Sequence, residues 1–441
     1  MSPQVQDILQ SLDQRVADIV EACTACGACA AVCPTPGIES IEAFDPEQIT
    51  SGVVDILRGR PGPENAERWA HGCCGSGFCL RVCEQGINPR FMLNMARRAL
   101  FRHQPVVERK QQGKVDFKEM SRGVRLMSRL QLPPDLLNRL NPSSHPERDA
   151  PPDLIFYTGC NMLRTPHIGL LCLDILDRLD ASYEVHGGPA NCCGILQLRP
   201  GDDENAARQG GKTIERFAAT GASQVLSWCP TCQIQIGETL LPSYTPEAPV
   251  PFDMTMFPVY LAGRLDDLKP LMTTPVNKRV ALNEYPGAIG VTAAVWALLS
   301  AIPGLEIVEL DLPRAGYQMT SLTNTNYAKK HMARLLRADE AARITTLASI
   351  FHGDHRESVA HQPNWPFEIV NYMELIGESM GLDRADVFKK LRLMQDVDAI
   401  MAEALMTITT NNLDPEDVRD MILAEMLGEP LLETDPSAHP A

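Results

Sequence analysis

A chain of 441 residues is too long for one ordinary domain, and its 44% hydrophobic and 22% charged residues describe a globular protein with ample core material. The formal net charge of −16 speaks against nucleic-acid binding, which needs a basic face to displace counterions. Fourteen cysteines behind an N-terminus with no basic, apolar leader point to a reducing, cytoplasmic setting, where thiols serve metals or catalysis rather than disulfides. The apolar stretch from Val291, "VTAAVWALLSAI", has 12 residues and is too short to span a bilayer.

Taken in chain order, "VQDILQSLDQRVADIVEA" carries apolar residues at helical spacing and predicts an amphipathic helix. "CTACGACAAVCP" follows, with Cys23, Cys26, Cys29 and Cys33 on the C-x2-C-x2-C-x3-C-P spacing of a bacterial ferredoxin cluster motif. Three such thiolates reach three iron corners from one loop, and in two-cluster proteins the fourth cysteine serves the other cluster. A second run, "CCGSGFCLRVCE", repeats the spacing at Cys73, Ser76, Cys79 and Cys83, with a serine in the second place. Crossed ligation predicts one [4Fe–4S] cluster on Cys23, Cys26, Cys29 and Cys83. A second would take Cys33, Cys73 and Cys79, plus either Cys74 or the Ser76 oxygen; a three-iron cluster is the outcome if neither binds. With the helix predicted over "NPRFMLNMARRALFRH", residues 1–103 read as an α-helical two-cluster ferredoxin-like domain.

Residues 104–151 read as a basic linker. From Arg97 to Arg129 there are ten Lys or Arg against three acidic residues, which suits a solvated helix or a docking surface for an acidic partner. "NPSSHPERDAPPD" marks the boundary. Beyond it, "DLIFYTG", "ASYEVHGG" and "SQVLSW" predict strands separated by helices, a β-α-β-α-β progression with a parallel sheet. Cys160, the doublet Cys192-Cys193 and the pair Cys229 and Cys232 all follow strand ends, where the crevice of such a sheet lies. Neighbouring cysteines pair as a disulfide only with strain. Cys172 falls mid-helix on an apolar face and reads as core.

The spacing C-x31-CC-x35-C-x2-C, with Gly194 after the doublet, resembles the CCG domain of the heterodisulfide reductase family at every cysteine. The resemblance implies that Cys160, Cys192, Cys193, Cys229 and Cys232 hold a non-cubane [4Fe–4S] cluster, with Cys192 and Cys193 as ligands at the catalytic centre. It makes residues 152–270 a CCG domain. Residues 271–385 look like a degenerate second copy: "PFDMTMFPVYLAGRL" and "PFEIVNYMELIGESM" align without a gap, "KRVALNEY", "LEIVELD" and "RITTLAS" supply strands, and no cysteine follows Cys232. Tyr317, His352 and His355 of that copy are candidate proton donors or pocket walls. Residues 386–441 read as a helical extension with two acidic amphipathic helices and a disordered tail.

A ferredoxin-like module ahead of CCG domains is similar to fused C-type and B-type subunits. These include the D subunit of methanogen heterodisulfide reductase, the K subunit linked to dissimilatory sulfite reductase, and B/C subunits of bacterial sulfur-oxidising complexes. The resemblance implies an oxidoreductase acting on a sulfur group, with disulfide/thiol or sulfane-sulfur chemistry fed by the two ferredoxin-type clusters. It implies a flavoprotein or other subunits of such a complex as partners, and a sulfur-carrier or lipoate-binding protein. The chain has no Gly-rich dinucleotide loop of its own. The competing expectation is an electron-transfer subunit of a flavin-dependent glycolate or lactate oxidase-type complex.

Overall fold

Two four-stranded sheets organise the chain, and they share one topology. The computed structural model describes residues 2–41, 44–244, 252–284, 286–316 and 325–440. In it β1 (Leu154–Gly159), β2 (Tyr183–Gly187), β3 (Gln224–Ser227) and β4 (Asp253–Met256) pair in parallel in the order β2-β1-β3-β4. Strands β5 (Arg279–Asn283), β6 (Glu306–Val308), β7 (Thr346–Ser349) and β8 (Glu368–Asn371) repeat that order as β6-β5-β7-β8, again all parallel. Helices cover the sheet faces, so the central strands are apolar on both sides and β1 is buried along its whole length.

The repeat seen in sequence has a structural counterpart. Strand β4 runs directly into the helix Phe257–Gly263, and β8 into the helix Tyr372–Ser379. The second junction carries a capping box, in which Asn371 accepts from the Met373 N–H and Glu374 accepts from the Asn371 N–H. The two sheet units pack as neighbours. The helix Pro166–Arg178 lies on Tyr372–Ser379, and Trp228 stacks on Tyr372 with ring centroids 5.9 Å apart. One apolar core therefore runs from Phe156 and Leu171 to Val280 and Leu375.

The N-terminal helices dock on the first sheet unit. Pro3–Ala22 buries Ile8, Leu12 and Ile19, the stripe its spacing predicts, and packs on the helix Asp203–Ala219. Pro46–Leu57, Glu64–His71 and Pro89–Phe101 pack together, with Trp69 wholly buried beside them. Two arginines fasten this group. Arg98 pairs with Asp13 at 2.9 Å and Asp203 at 2.8 Å. Arg90 binds the Glu238 carboxylate and the carbonyls of Gly75 and Gly287, so it touches both sheet units.

Three expectations about the connecting segments need correction. The basic stretch forms a helix, Val106–Gln131, whose C-terminal half is buried. Met120, Val124 and Met127 recur at i, i+4 and i+7 and lodge it between the turn Asn161–Arg164 and the helix Pro415–Met421. Part of its charge is paired within the chain, as Lys110 with Glu204 and Arg122 with Asp417. The extension expected as two helices instead includes Val387–Met394, Val397–Glu403 and Leu405–Thr410 before Pro415–Met421, because Gln395 turns left-handed at φ 52°. Asp386, Asp396 and Asp414 cap three of these helices with their side chains. The tail expected to be disordered is docked. His439 is buried against Trp365, and Arg337 donates to the carbonyls of His439 and Pro440. Among the described residues no helix is long and apolar enough to cross a membrane.

Candidate iron–sulfur centres

All fourteen cysteines are free thiols, and thirteen of them gather in three places while Cys172 sits fully buried in the core of its helix. In the first place, burial pushes the Cys29 thiol above its ordinary value against a contact from Thr50, and the neighbouring sulfurs of Cys23, Cys83 and Cys26 add to the rise. Cys83 reaches this group from the loop after the short turn Phe78–Arg81, some fifty residues along the chain.

In the second place, burial and the Cys73 sulfur raise Cys33, and burial with Cys73 and Cys33 raises Cys79. Cys74 is pushed up to about 11 by burial, then by Cys73 and Cys33. Its thiol receives the Thr35 hydroxyl at 3.6 Å. The Trp69 indole N–H points at the Cys33 Sγ from 3.3 Å. Ser76 is also buried, between Gly75 and Gly77, both at positive φ.

The five remaining cysteines stand at the carboxyl ends of β1, β2 and β3. The strand order β2-β1-β3 puts Cys160, after β1, between the doublet after β2 and the Cys229/Cys232 pair after β3. Cys192 and Cys193 are 1% and 2% exposed, Cys232 is 2% and Cys229 is 9%. Two glycines make the approach feasible. Gly159 has φ +67° and a Cβ there would lie 3.1 Å from the Cys232 Sγ; Gly194 has φ +82° and a Cβ would strike the Ala206 carbonyl at 2.5 Å. The Gly194 N–H faces the Cys192 Sγ at 3.5 Å, and the Thr213 hydroxyl holds the Cys192 carbonyl at 2.9 Å.

The chemistry of this donor set suits a cationic group. Hydrogen bonds from Cys192 and Cys232 bring Cys193 down to about 5, and one from Cys232 brings Cys229 down to about 7. Hydrogen bonding to Cys192 raises Cys160, and hydrogen bonding to Cys193 raises Cys232. Thiols alone therefore divide a limited number of negative charges among them, since five buried thiolates repel one another. An iron–sulfur core cancels that repulsion and lets all five ionise.

The ferredoxin-like motifs and the five-cysteine crevice adjoin. Cys73, Arg90, Ile195, Thr231 and Glu238 line one cavity of about 40 Å3, so the loops of the second and third groups share a wall. The degenerate half closes the other side: its helix His352–Ser358 packs on the turn Asn161–Arg164 that follows Cys160. Burial, then Arg356 and Arg164, hold His352 down to about 3, so it is a neutral wall rather than a standing proton donor. His355 points elsewhere, to Asp386 at 2.6 Å. Tyr317 lies outside the described residues. Sequence reading missed Arg164 and Trp69, because only tertiary packing brings them to Cys160 and Cys33.

Residues 154–237 match the cysteine-rich CCG domain family. Over 256 residues the chain is 26% identical to the D subunit of the dihydromethanophenazine:CoB–CoM heterodisulfide reductase of Methanosarcina mazei, covering 55% of this chain and 59% of that one. The corresponding D subunit of Methanosarcina barkeri matches over the same shares, also at 26% identity. The B subunit of the fumarate reductase (CoM/CoB) of Methanothermobacter marburgensis is 29% identical over 163 residues, 35% of this chain and 30% of that one. The chain thus spans about three fifths of the heterodisulfide reductase relatives it matches. No solved structure matches. The chain thus carries a CCG domain over residues 154–237 and, over about half its length, is similar to heterodisulfide reductase D subunits.

Proposed function

We propose that this chain is the iron–sulfur subunit of a cytoplasmic heterodisulfide reductase-like complex, interconverting disulfide or sulfane sulfur with thiols at the five-cysteine crevice. The observation that carries this reading is the meeting of five free cysteines at three adjacent strand ends, against a wall shared with Cys73. Cys160, Cys192, Cys193, Cys229 and Cys232 would hold a non-cubane [4Fe–4S] cluster. Cys23, Cys26, Cys29 and Cys83 would hold one ferredoxin-type [4Fe–4S] cluster, and Cys33, Cys73, Cys79 and Cys74 the other. Cys74 is preferred to Ser76 because Cys73 and Cys33 act directly on its thiol. Such clusters, when bound, supply electrons one at a time to a bond whose cleavage needs two.

The chain's own residues prepare that site. The two glycines let backbone approach, and Trp228 and Tyr157 seal the floor as fully buried side chains. Arg164 favours the ionised Cys160, and the Tyr157 hydroxyl fixes the loop before the doublet by donating to the Asn191 carbonyl at 2.7 Å. The degenerate half contributes a wall with His352 and no thiol, so sulfur chemistry would be confined to one side. Both groups of relatives carry CoM and CoB in their names, one as a heterodisulfide, which favours a sulfur compound here. Electrons would be exchanged with a flavoprotein partner, and the sulfur would arrive on a carrier or lipoate-binding protein. The proposed divisions are 1–103, 104–151, 152–270, 271–385 and 386–441.

Anaerobic turnover with a reduced viologen dye and a series of disulfides tests this. Wild-type protein should oxidise the dye in a disulfide-dependent way, and Cys193→Ser should fall to background while the ferredoxin-type signals persist. Dye oxidation that never depends on a sulfur compound would instead favour the relay role in a flavin 2-hydroxy-acid oxidase complex.

A further inference from the structure

Away from the thiols, four side chains from four segments meet in the seam between the sheet units. His167 is in the first turn of the helix Pro166–Arg178, and His355 lies on the helix after β7. Glu374 is in the first turn of the helix after β8, and Asp386 caps the helix Val387–Met394. Their nitrogen and carboxylate atoms all lie within 4.8 Å of one another. His167, His355 and Asp386 are 3%, 0% and 4% exposed at the side chain, and only Glu374, at 20%, opens toward solvent.

The hydrogen bonds leave this group incomplete. His167 has Asp386 at 3.5 Å from one ring nitrogen and Glu374 at 3.6 Å from the other, both too long for a good bond. Neither nitrogen has a hydrogen-bond partner, and the Nδ1 of His355 has none either. The carboxylates are oriented by backbone instead. Glu374 Oε1 accepts the Asn371 N–H at 2.7 Å, and Asp386 Oδ1 accepts the Lys389 N–H at 2.9 Å. The nearby Lys389 ammonium donates to the Ile369 carbonyl at 2.9 Å. A buried carboxylate, Asp386, and a half-buried one, Glu374, thus face two imidazoles, one of which makes no hydrogen bond.

We infer that His167, His355, Glu374 and Asp386 bind one divalent cation of the zinc type, which staples the intact sheet unit to the degenerate one and to the C-terminal extension. Two neutral imidazoles and two carboxylates give a neutral site with a divalent ion, as burial requires. Two nitrogens, two oxygens and no open position is a closed tetrahedral set of the structural kind. Ligand atoms in such a set sit about 3.3 Å apart around bonds of about 2.0–2.1 Å, within a small side-chain adjustment of the spacing here. The capping backbone plays the orienting part that outer-shell groups play in metal sites. The staple gives the thiol-free half a use: it anchors the segment beginning just after Cys160, of which His167 is part.

The test is metal analysis and X-ray absorption at the zinc edge on the full-length, anaerobically purified protein. One zinc per chain with a nitrogen/oxygen shell near 2.0–2.1 Å and imidazole outer scattering is expected. His167→Gln and His355→Gln should each lose that equivalent, whereas Cys193→Ser should keep it. Zinc with a sulfur shell near 2.3 Å would place the metal in a cysteine site and overturn the inference. So would protein grown with zinc that holds none, which would leave an ion-pair network alone. The wild-type spectrum decides even if a variant fails to fold, and it is independent of the sulfur chemistry proposed above.

Discussion

Replacing Gly159 with alanine perturbs the five-cysteine crevice from its backbone side. Gly159 closes β1 at φ +67°, and an added Cβ would lie 3.1 Å from the Cys232 Sγ and 3.3 Å from the Cys229 Cβ. The left-handed backbone alone costs an L-residue about 1–2 kcal/mol. Crowding a packed site adds about 1–3 kcal/mol. Gly59 separates these terms, since it has φ +77° with nothing within 4 Å of its would-be Cβ, so Gly59→Ala carries the first cost alone. The remaining 1–3 kcal/mol falls on the Cys229/Cys232 pair, about a 5- to 150-fold weakening of whatever they hold. Iron per chain and EPR on anaerobically purified protein read this out. Gly59→Ala should match wild type; Gly159→Ala should lose iron and the signal of this site while the ferredoxin-type signals remain. If Gly159→Ala is as iron-replete as Gly59→Ala, those two cysteines do not grip a cluster and the reasoning fails.

Cys74→Ala should remove one iron from the second ferredoxin-type centre and give an oxidised three-iron signal, whereas Ser76→Ala should change neither; the opposite pattern would make Ser76 the ligand. Trp69→Phe removes the N–H aimed at the Cys33 Sγ, and such bonds favour the more negative reduced state. The potential of that centre should fall by roughly 40 mV, for a bond worth about 1 kcal/mol; an unchanged EPR redox titration would refute the contact. Burial alone raises the Asp339 carboxyl to about 8, with neither oxygen hydrogen-bonded. The native state then keeps a proton that the unfolded chain releases near pH 4, so stability declines as pH rises from about 4 to 8. Asp339→Asn should gain about 2–3 kcal/mol on wild type between pH 6 and pH 8 in urea titrations; parallel curves would contradict the buried acid.

What could be read from sequence was whatever repeats over short distances. The β1, β3 and β5 runs are apolar and bounded by turn residues, and Asp414 stands at the start of the last expected helix, so these elements fall where expected. The doublet and its partners could be listed from spacing, but the strand order that puts Cys160 between them could not. In the C-terminal half of Val106–Gln131 the many basic residues, which suit a solvated helix or a docking surface, mask an apolar stripe at Met120, Val124 and Met127. The docked tail escaped notice because one ring, His439 on Trp365, and the Arg337 contacts hold it, and no periodicity encodes them. The two histidines of "FHGDH" looked equivalent in sequence; tertiary packing sends His352 toward Arg164 and His355 toward Asp386.

The central claim is that a third cluster, reactive toward sulfur, sits on the five cysteines. Iron counting and EPR on one anaerobically purified sample, before and after adding a thiol or disulfide, address it most directly. About 12 irons per chain, with a new paramagnetic signal that needs the sulfur compound and disappears in Cys193→Ser, is the result predicted. A count near 8, with no signal beyond the ferredoxin-type ones, would mean that the crevice at the ends of β1, β2 and β3 holds no cluster.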